Sequence, residues 1–275
     1  MSIKLFYKPL SIIVVDDDKN VLINIKQQFS NREVFTFTDT DDLQSNIKPL
    51  MIHTNDFLTE FFQNTISLNY NKIKYLFDTI SNYHSILIAD FSMPKLNGLD
   101  LISKYNNTEM INILLTNIYP LNSILDALNQ KLIDYFLPKD DIVNILEVVN
   151  NLECKFLTNF TKNILKCLSK EELVFLNDKN FIDIFDKVIS KYKITNYCLL
   201  NAYGAYYLDN GVDKYILSIY SNSDLEDFSR DYTGDLKRNI IEGNVIPSYF
   251  SNDGNSFVNA QKSYNYSYSI EKILN

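Results

Sequence analysis

Ile86-Leu87-Ile88-Ala89-Asp90-Phe91-Ser92-Met93-Pro94 opens with four apolar residues and then turns polar at a carboxylate. An apolar run without alternation marks a strand buried on both faces, the kind found in parallel sheets covered by helices. Asp90 stands where that strand leaves the core. The same design occurs upstream in Ile12-Ile13-Val14-Val15, which ends in Asp16, Asp17 and Asp18. Downstream, Ile111 to Leu115 ends in Thr116, and Tyr135-Phe136-Leu137 runs into Pro138 and Lys139. Val34-Phe35-Thr36-Phe37 supplies a further strand. Val21, Leu22, Ile25 and Phe29 recur at helical spacing, so residues 18–30 read as a helix between the first two strands. Short apolar runs alternating with amphipathic stretches predict an α/β unit built on a five-stranded parallel sheet.

In open α/β sheets, ligands bind in the crevice beyond the carboxyl ends of the strands. Asp16, Asp17, Asp90, Thr116 and Lys139 all stand at such ends, so groups remote in sequence can converge on one site. Three carboxylates in one crevice repel unless a cation sits among them. A hard divalent ion with oxygen ligands resolves this, and Mg²⁺ suits one or two carboxylates, several waters and a phosphate oxygen. A carboxylate held beside Mg²⁺ can attack a phosphoryl group and become an aspartyl phosphate. Lys139 would then neutralise the incoming phosphoryl oxygens, and the Thr116 hydroxyl would donate a hydrogen bond to one of them.

These residues, in this order, bring in a family. From about Ser11 to Asn150 the chain closely resembles the receiver domain of bacterial response regulators. Val14-Val15-Asp16-Asp17-Asp18 is similar to its acidic first-strand signature. Ala89-Asp90 followed by Met93, Pro94 and Gly98 is similar to its phosphoacceptor segment. Leu114-Leu115-Thr116 resembles the fourth-strand switch position, and Phe136-Leu137-Pro138-Lys139 the aromatic and lysine pair of the fifth strand. The resemblance implies a flavodoxin-like (βα)5 fold and a two-component phosphorelay. Asp90 would accept the phosphoryl group from a histidine kinase or histidine phosphotransfer protein. Asp17 and Asp90 would ligate Mg²⁺ directly, with the backbone carbonyl of Ser92, while Asp16 acts mostly through water. Thr116 and Lys139 would contact the phosphoryl group, and Phe136 would swing inward as Thr116 moves. The resemblance implies a phosphoacceptor rather than an enzyme, apart from hydrolysis of its own phosphoryl group.

Three departures from the family pattern stand out. Asn117 occupies the place where a small residue usually follows the threonine, which would restrict access and slow dephosphorylation. Asp140 replaces the usual proline after the lysine, which puts the familiar cis peptide in doubt. About 45 residues, roughly Thr40 to Ser85, separate the second and third strands, where a crossover needs only a dozen or so. Leu58, Phe61, Phe62 and Ile66, then Ile73, Leu76, Phe77 and Ile80, have helical spacing. Residues 41–85 are therefore expected to be a helical insertion.

With 275 residues the chain exceeds one average compact unit, and roughly 100–200 residues per domain predicts two. The expected division is a receiver at 9–150, a helical linker at 151–169 and a small α+β output or interaction domain at 170–275. The linker reading rests on Ile142, Ile145, Leu146, Val149, Leu152, Phe156, Phe160 and Ile164, a helical series from Asp140 onward. A seam of this kind can support a homodimer. Farther on, Ser169 with Glu172 has capping-box spacing, and Phe181, Ile184, Phe185, Val188 and Ile189 mark a helix. Tyr197 to Asn201, Ala205 to Leu208 and Tyr215 to Tyr220 read as strands around an Asp209-Asn210-Gly211 turn. Ser223 with Glu226 predicts a capped helix running to about Ile241, Val245 to Phe250 a closing strand, and Tyr264 to Ile270 another. This helix-then-strands order fits a PAS-like module.

Composition narrows the function further. Hydrophobic residues at 46% and charged residues at 22% are ordinary globular usage. The run Ile12 to Val15 is far short of the ~18 apolar residues needed to span a bilayer, and the aspartates after it do not fit a signal peptide. A cytoplasmic location without membrane insertion is expected. Cys154, Cys167 and Cys198 lack metal-ligand spacing, and only His53 and His84 are present, so neither a zinc site nor a histidine-based triad is expected. Net charge is −8, and residues 170–275 carry 11 Lys+Arg against 15 Asp+Glu. Such a balance argues against nucleic acid as a partner. The output is then expected to bind another protein or a small ligand. A DNA-binding regulator would need a basic patch assembled in three dimensions, and a second-messenger enzyme a deep polar pocket.

Overall fold

In chain order the computed structural model begins with β1 (Phe6–Tyr7), β2 (Ser11–Val15), α1 (Lys19–Gln28), β3 (Val34–Phe37) and α2 (Thr40–Asn46). It continues with β4 (Ser85–Asp90), α3 (Gly98–Lys104), β5 (Ile111–Thr116), α4 (Leu121–Asn129), β6 (Tyr135–Pro138) and α5 (Ile145–Cys167). The structure describes residues 5–46, 85–105, 110–117, 121–167, 174–200, 204–249 and 256–273. The chain divides into two compact units. One starts at Pro9 and ends at Leu157; the other takes the residues up to Lys8 and those from Thr158 onward.

In the first unit, β2 to β6 form a five-stranded parallel sheet in the order β3-β2-β4-β5-β6. This is the flavodoxin-like order, which reverses direction between β2 and β4 and opens a crevice at their carboxyl ends. Every residue of β2 and β5 is buried, as the uninterrupted apolar runs require. The core on one side of the sheet joins Ile13, Val15, Leu87, Ala89 and Leu114 to Leu101 and Ile102 of α3 and Ile124 and Ala127 of α4. Helix α1 starts where Asp18 Oδ1 accepts the Asn20 N–H at 2.8 Å, and it buries Leu22 and Ile25. Helix α3 starts where Asn97 Oδ1 accepts the Asp100 N–H at 2.9 Å.

The helical series expected from Asp140 begins later than its first apolar residue suggests. Lys139–Asn144 form a tight 3-10 turn without a side-chain cap, and α5 starts at Ile145, where the series first becomes fully buried. No described peptide bond is cis, so Pro138 follows a trans bond and the Asp140 bond is trans as well. The expected helices around Leu58–Ile66 and Ile73–Ile80, and the Ser169–Glu172 capping box, lie outside the described residues.

The second unit holds α6 (Lys179–Tyr192), β7 (Asn196–Leu199), β8 (Ala205–Asp209), β9 (Lys214–Ser221), α7 (Asn222–Phe228), α8 (Gly234–Ile241), β10 (Val245–Pro247), β11 (Phe257–Asn259), β12 (Gln261–Ser263) and β13 (Tyr266–Lys272). Its main sheet is antiparallel, in the order β1-β7-β8-β9-β13-β12. Phe181 and Phe185 on α6 pack on this sheet: Phe185 lies 4.6 Å from Tyr206 and 5.0 Å from Tyr197 between ring centroids.

Three sequence expectations change here. The helix after β9 is capped by Ser221 and Asp224, not Ser223 and Glu226: Ser221 Oγ accepts the Asp224 N–H at 3.1 Å and Asp224 Oδ2 the Ser221 N–H at 2.8 Å. It also stops at Phe228, and α8 starts anew at Gly234, whose φ of +63° suits glycine. Val245–Pro247 pairs with β11 in a separate two-stranded sheet, and it is β13 that joins β9 in the main sheet.

Candidate functional site

The strand register carries the predicted residues to one end of the parallel sheet. Val15 pairs with Ala89, so Asp16 and Asp90 follow neighbouring strand ends at the point where the order reverses. Carboxylate oxygens of Asp16, Asp17 and Asp90 lie within 4.8 Å of one another. Asp16 is fully buried and Asp90 nearly so, while Asp17 is exposed and opens the cluster to solvent. Lys139 reaches in from the last strand, with Nζ 2.8 Å from Asp16 Oδ2 and 3.1 Å from Asp90 Oδ1. Thr116 is buried at the end of β5, level with Pro138 in the register. Phe136 is half-buried against the core. Ser92 is exposed, two residues beyond Asp90.

One aspartate of the acidic triplet is committed elsewhere. Asp18 caps α1, and its N–H donates to Asp16 Oδ1 at 2.9 Å. Asp16 Oδ2 meets Lys139 as an ion pair but accepts no hydrogen bond of ordinary geometry. Burial pushes the Asp16 carboxyl above the usual range; contact with Lys139 and the Asp18 N–H pull it back only in part, and the Asp90 charge adds to the rise. Burial also acts most strongly on Lys139, drawing it down, but Asp16 and then Asp90 together outweigh it and leave the ammonium raised. Lys139 therefore stays charged at neutral pH. Three close carboxylates, an under-used buried oxygen and an all-oxygen donor set fit a hard divalent cation.

Because metal ligands must be deprotonated, cation binding should weaken as pH falls. With Asp16 raised, the loss sets in at a higher pH than for ordinary aspartates. Titration calorimetry of Mg²⁺ against pH checks this; affinity constant down to the usual aspartate range would contradict it.

A further residue holds the site in shape. A Cβ on Gly98 would lie 2.3 Å from the carbonyl oxygen of Asp90 and 3.0 Å from Leu114 Cδ1. The Gly98 N–H donates to the Phe91 carbonyl at 3.1 Å, so the start of α3 is drawn onto the segment carrying the phosphoacceptor candidate. The sequence placed Gly98 in a motif; only coordinates show what it touches. Gly98→Ala should cost about 1–3 kcal/mol of stability through this overlap. Urea denaturation reads it, and an unchanged midpoint would count against the contact.

No protein-family model matches the chain, and no curated protein matches it. Among solved structures, the response regulator LqsR of Legionella pneumophila aligns over 100% of this chain and 91% of its own, with a TM-score of 0.66 at 19% identity. This chain has a response-regulator fold. An adenylate cyclase structure from Rhodopirellula baltica aligns over 58% of the chain and 98% of its own (TM-score 0.40, 18% identity). A receiver domain protein from Methanospirillum hungatei aligns over 56% and 99% (TM-score 0.38, 18% identity). The parallel-sheet unit has the flavodoxin-like fold, and its strand ends carry the acidic cluster. Among the described residues, no helix is long and apolar enough to cross a membrane.

Proposed function

We propose that this chain is a cytoplasmic response regulator of a two-component phosphorelay, phosphorylated on Asp90 with the help of Mg²⁺. The observation that carries the reading is the meeting of Asp16, Asp17 and Asp90 within 4.8 Å, with Lys139 on two of them. The donor would be a phosphohistidine on a histidine kinase or histidine phosphotransfer protein. Mg²⁺, held by Asp17, Asp90 and the Ser92 carbonyl with Asp16 behind, would offset the charge of the phosphoryl oxygens. Asp90 supplies the attacking oxygen, and the P–N bond of the donor breaks with its electron pair returning to the imidazole. Lys139 and Thr116 steady the transferred group, and Phe136 follows Thr116. The antiparallel-sheet unit would then bind a downstream protein or small ligand; the acidic balance of residues 170–275 disfavours DNA.

Labelling with a small acyl phosphate tests this. With Mg²⁺ the chain should gain one phosphoryl group, cleaved by hydroxylamine, and none once the metal is chelated. Labelling that ignores chelation, or resists hydroxylamine, would rule out a Mg²⁺-assisted aspartyl phosphate. Lys139→Ala should retain Mg²⁺ binding yet label about a hundredfold more slowly, the usual cost of losing one charge-stabilising donor. Stopped-time mass measurements give that rate; parental kinetics would remove Lys139 from the proposed role.

A further inference from the structure

We propose that residues 5–7 act as a strap closing one edge of the antiparallel sheet, and that phosphorylation of Asp90 alters its hold. The second half rests on the phosphoacceptor reading above. Strand β1 precedes the whole parallel sheet in sequence yet pairs with β7, Phe6 opposite Cys198 and Tyr7 opposite Tyr197. The Leu199 N–H donates to the Leu5 carbonyl at 2.7 Å, and the Tyr7 and Tyr197 rings stack at 5.7 Å. Leu5 and Phe6 are only 3% and 4% exposed. Apolar side chains thus hold a strand too short for many ladder bonds, placing it at the low-stability end of the fold.

The segment after the strap is short and anchored. Lys8, Pro9 and Leu10 separate β1 from β2 and span at most about 11 Å, and Pro9 restricts both its own φ and Lys8. Leu10 is buried, and its N–H donates to Glu153 Oε1 on α5 at 2.7 Å. Its carbonyl accepts from Arg32 Nη2 at 2.7 Å, and Arg32 is itself paired with Glu153. Lys139, which holds Asp16 and Asp90, opens the turn that leads into α5. Charge added at Asp90 acts first on Lys139. From there one route runs along α5 to Glu153 and Leu10. Another runs from Asp16 back along β2 to the same residue. Both end at the anchor of the strap.

Hydrogen exchange of the Leu199 amide in the full chain reports on the strap. Tyr7→Ala, at a half-buried position, should speed that exchange without any phosphodonor; an unchanged rate overturns the strap. In the parent, acyl phosphate and Mg²⁺ should change the rate about five- to 150-fold, the span of ordinary couplings between sites. A four-residue Gly-Ser insertion between Lys8 and Pro9 should keep one phosphoryl group per chain and lose that change. A labelled parent with unaltered Leu199 exchange overturns the coupling and leaves the phosphoacceptor reading standing, as does an insertion variant that still responds. A parent that takes no label overturns the phosphoacceptor reading and the coupling with it.

Discussion

Asp90→Asn should take no phosphoryl group under conditions in which the parent takes one. The two side chains have the same shape, but an amide oxygen lacks the charge that makes a carboxylate oxygen nucleophilic, and it cannot leave an acyl phosphate behind. The variant should also fold well. Asp90 is one of three carboxylates within 4.8 Å, and its charge adds to the rise of Asp16. Neutralising it removes repulsion and leaves Lys139 with Asp16 at 2.8 Å. Intact mass with and without phosphodonor gives the stoichiometry, and thermal unfolding confirms the fold. Equal labelling of parent and variant would move the acceptor elsewhere.

The largest stability effect should come from Glu153 on α5, a residue that the apolar pattern of the sequence does not single out. Its side chain is 4% exposed, accepts the Leu10 N–H and pairs with Nη1 and Nη2 of Arg32. Glu153→Ala should cost about 3–5 kcal/mol, because the buried Leu10 amide loses its acceptor while the largely buried Arg32 guanidinium loses its counter-charge and keeps only the Leu10 carbonyl. Replacing both partners, Arg32→Met with Glu153→Leu, should cost far less, since no charge is then stranded. Urea unfolding of the two variants separates these outcomes, and equal losses would show that shape rather than charge matters. The pH sign comes from burial, which raises the Glu153 carboxyl more than Leu10 and Arg32 lower it. The folded chain keeps that proton to higher pH than the unfolded chain. Its contribution is therefore full below the ordinary glutamate range and lost as pH rises through the raised folded value. Glu153→Gln should flatten this slope.

The parallel-sheet unit was legible because its strands are buried on both faces. Four of its runs end abruptly in Asp16, Asp90, Thr116 and Lys139, and the carboxyl-end rule of such sheets gathers those residues. The antiparallel unit was less legible. Its strands were found by their aromatic and β-branched residues, but cap choice and strand partners depend on contacts that periodicity does not encode. Ser223 with Glu226 has the capping-box spacing, but the hydrogen bonds form between Ser221 and Asp224.

From residue order alone came the α/β class, the five strands of the first sheet and the identity of each group at their carboxyl ends. Local pattern suffices there, since the apolar run, its period and the polar residue after it are neighbours in the chain. Coordinates alone supplied the commitment of Asp18 to a helix cap, the overlap that keeps Gly98 a glycine, the Arg32–Glu153 pair and the placement of β1 on β7. Each is a meeting between segments far apart in sequence or a choice among equivalent local partners, and only the packed chain brings those atoms together or makes the choice.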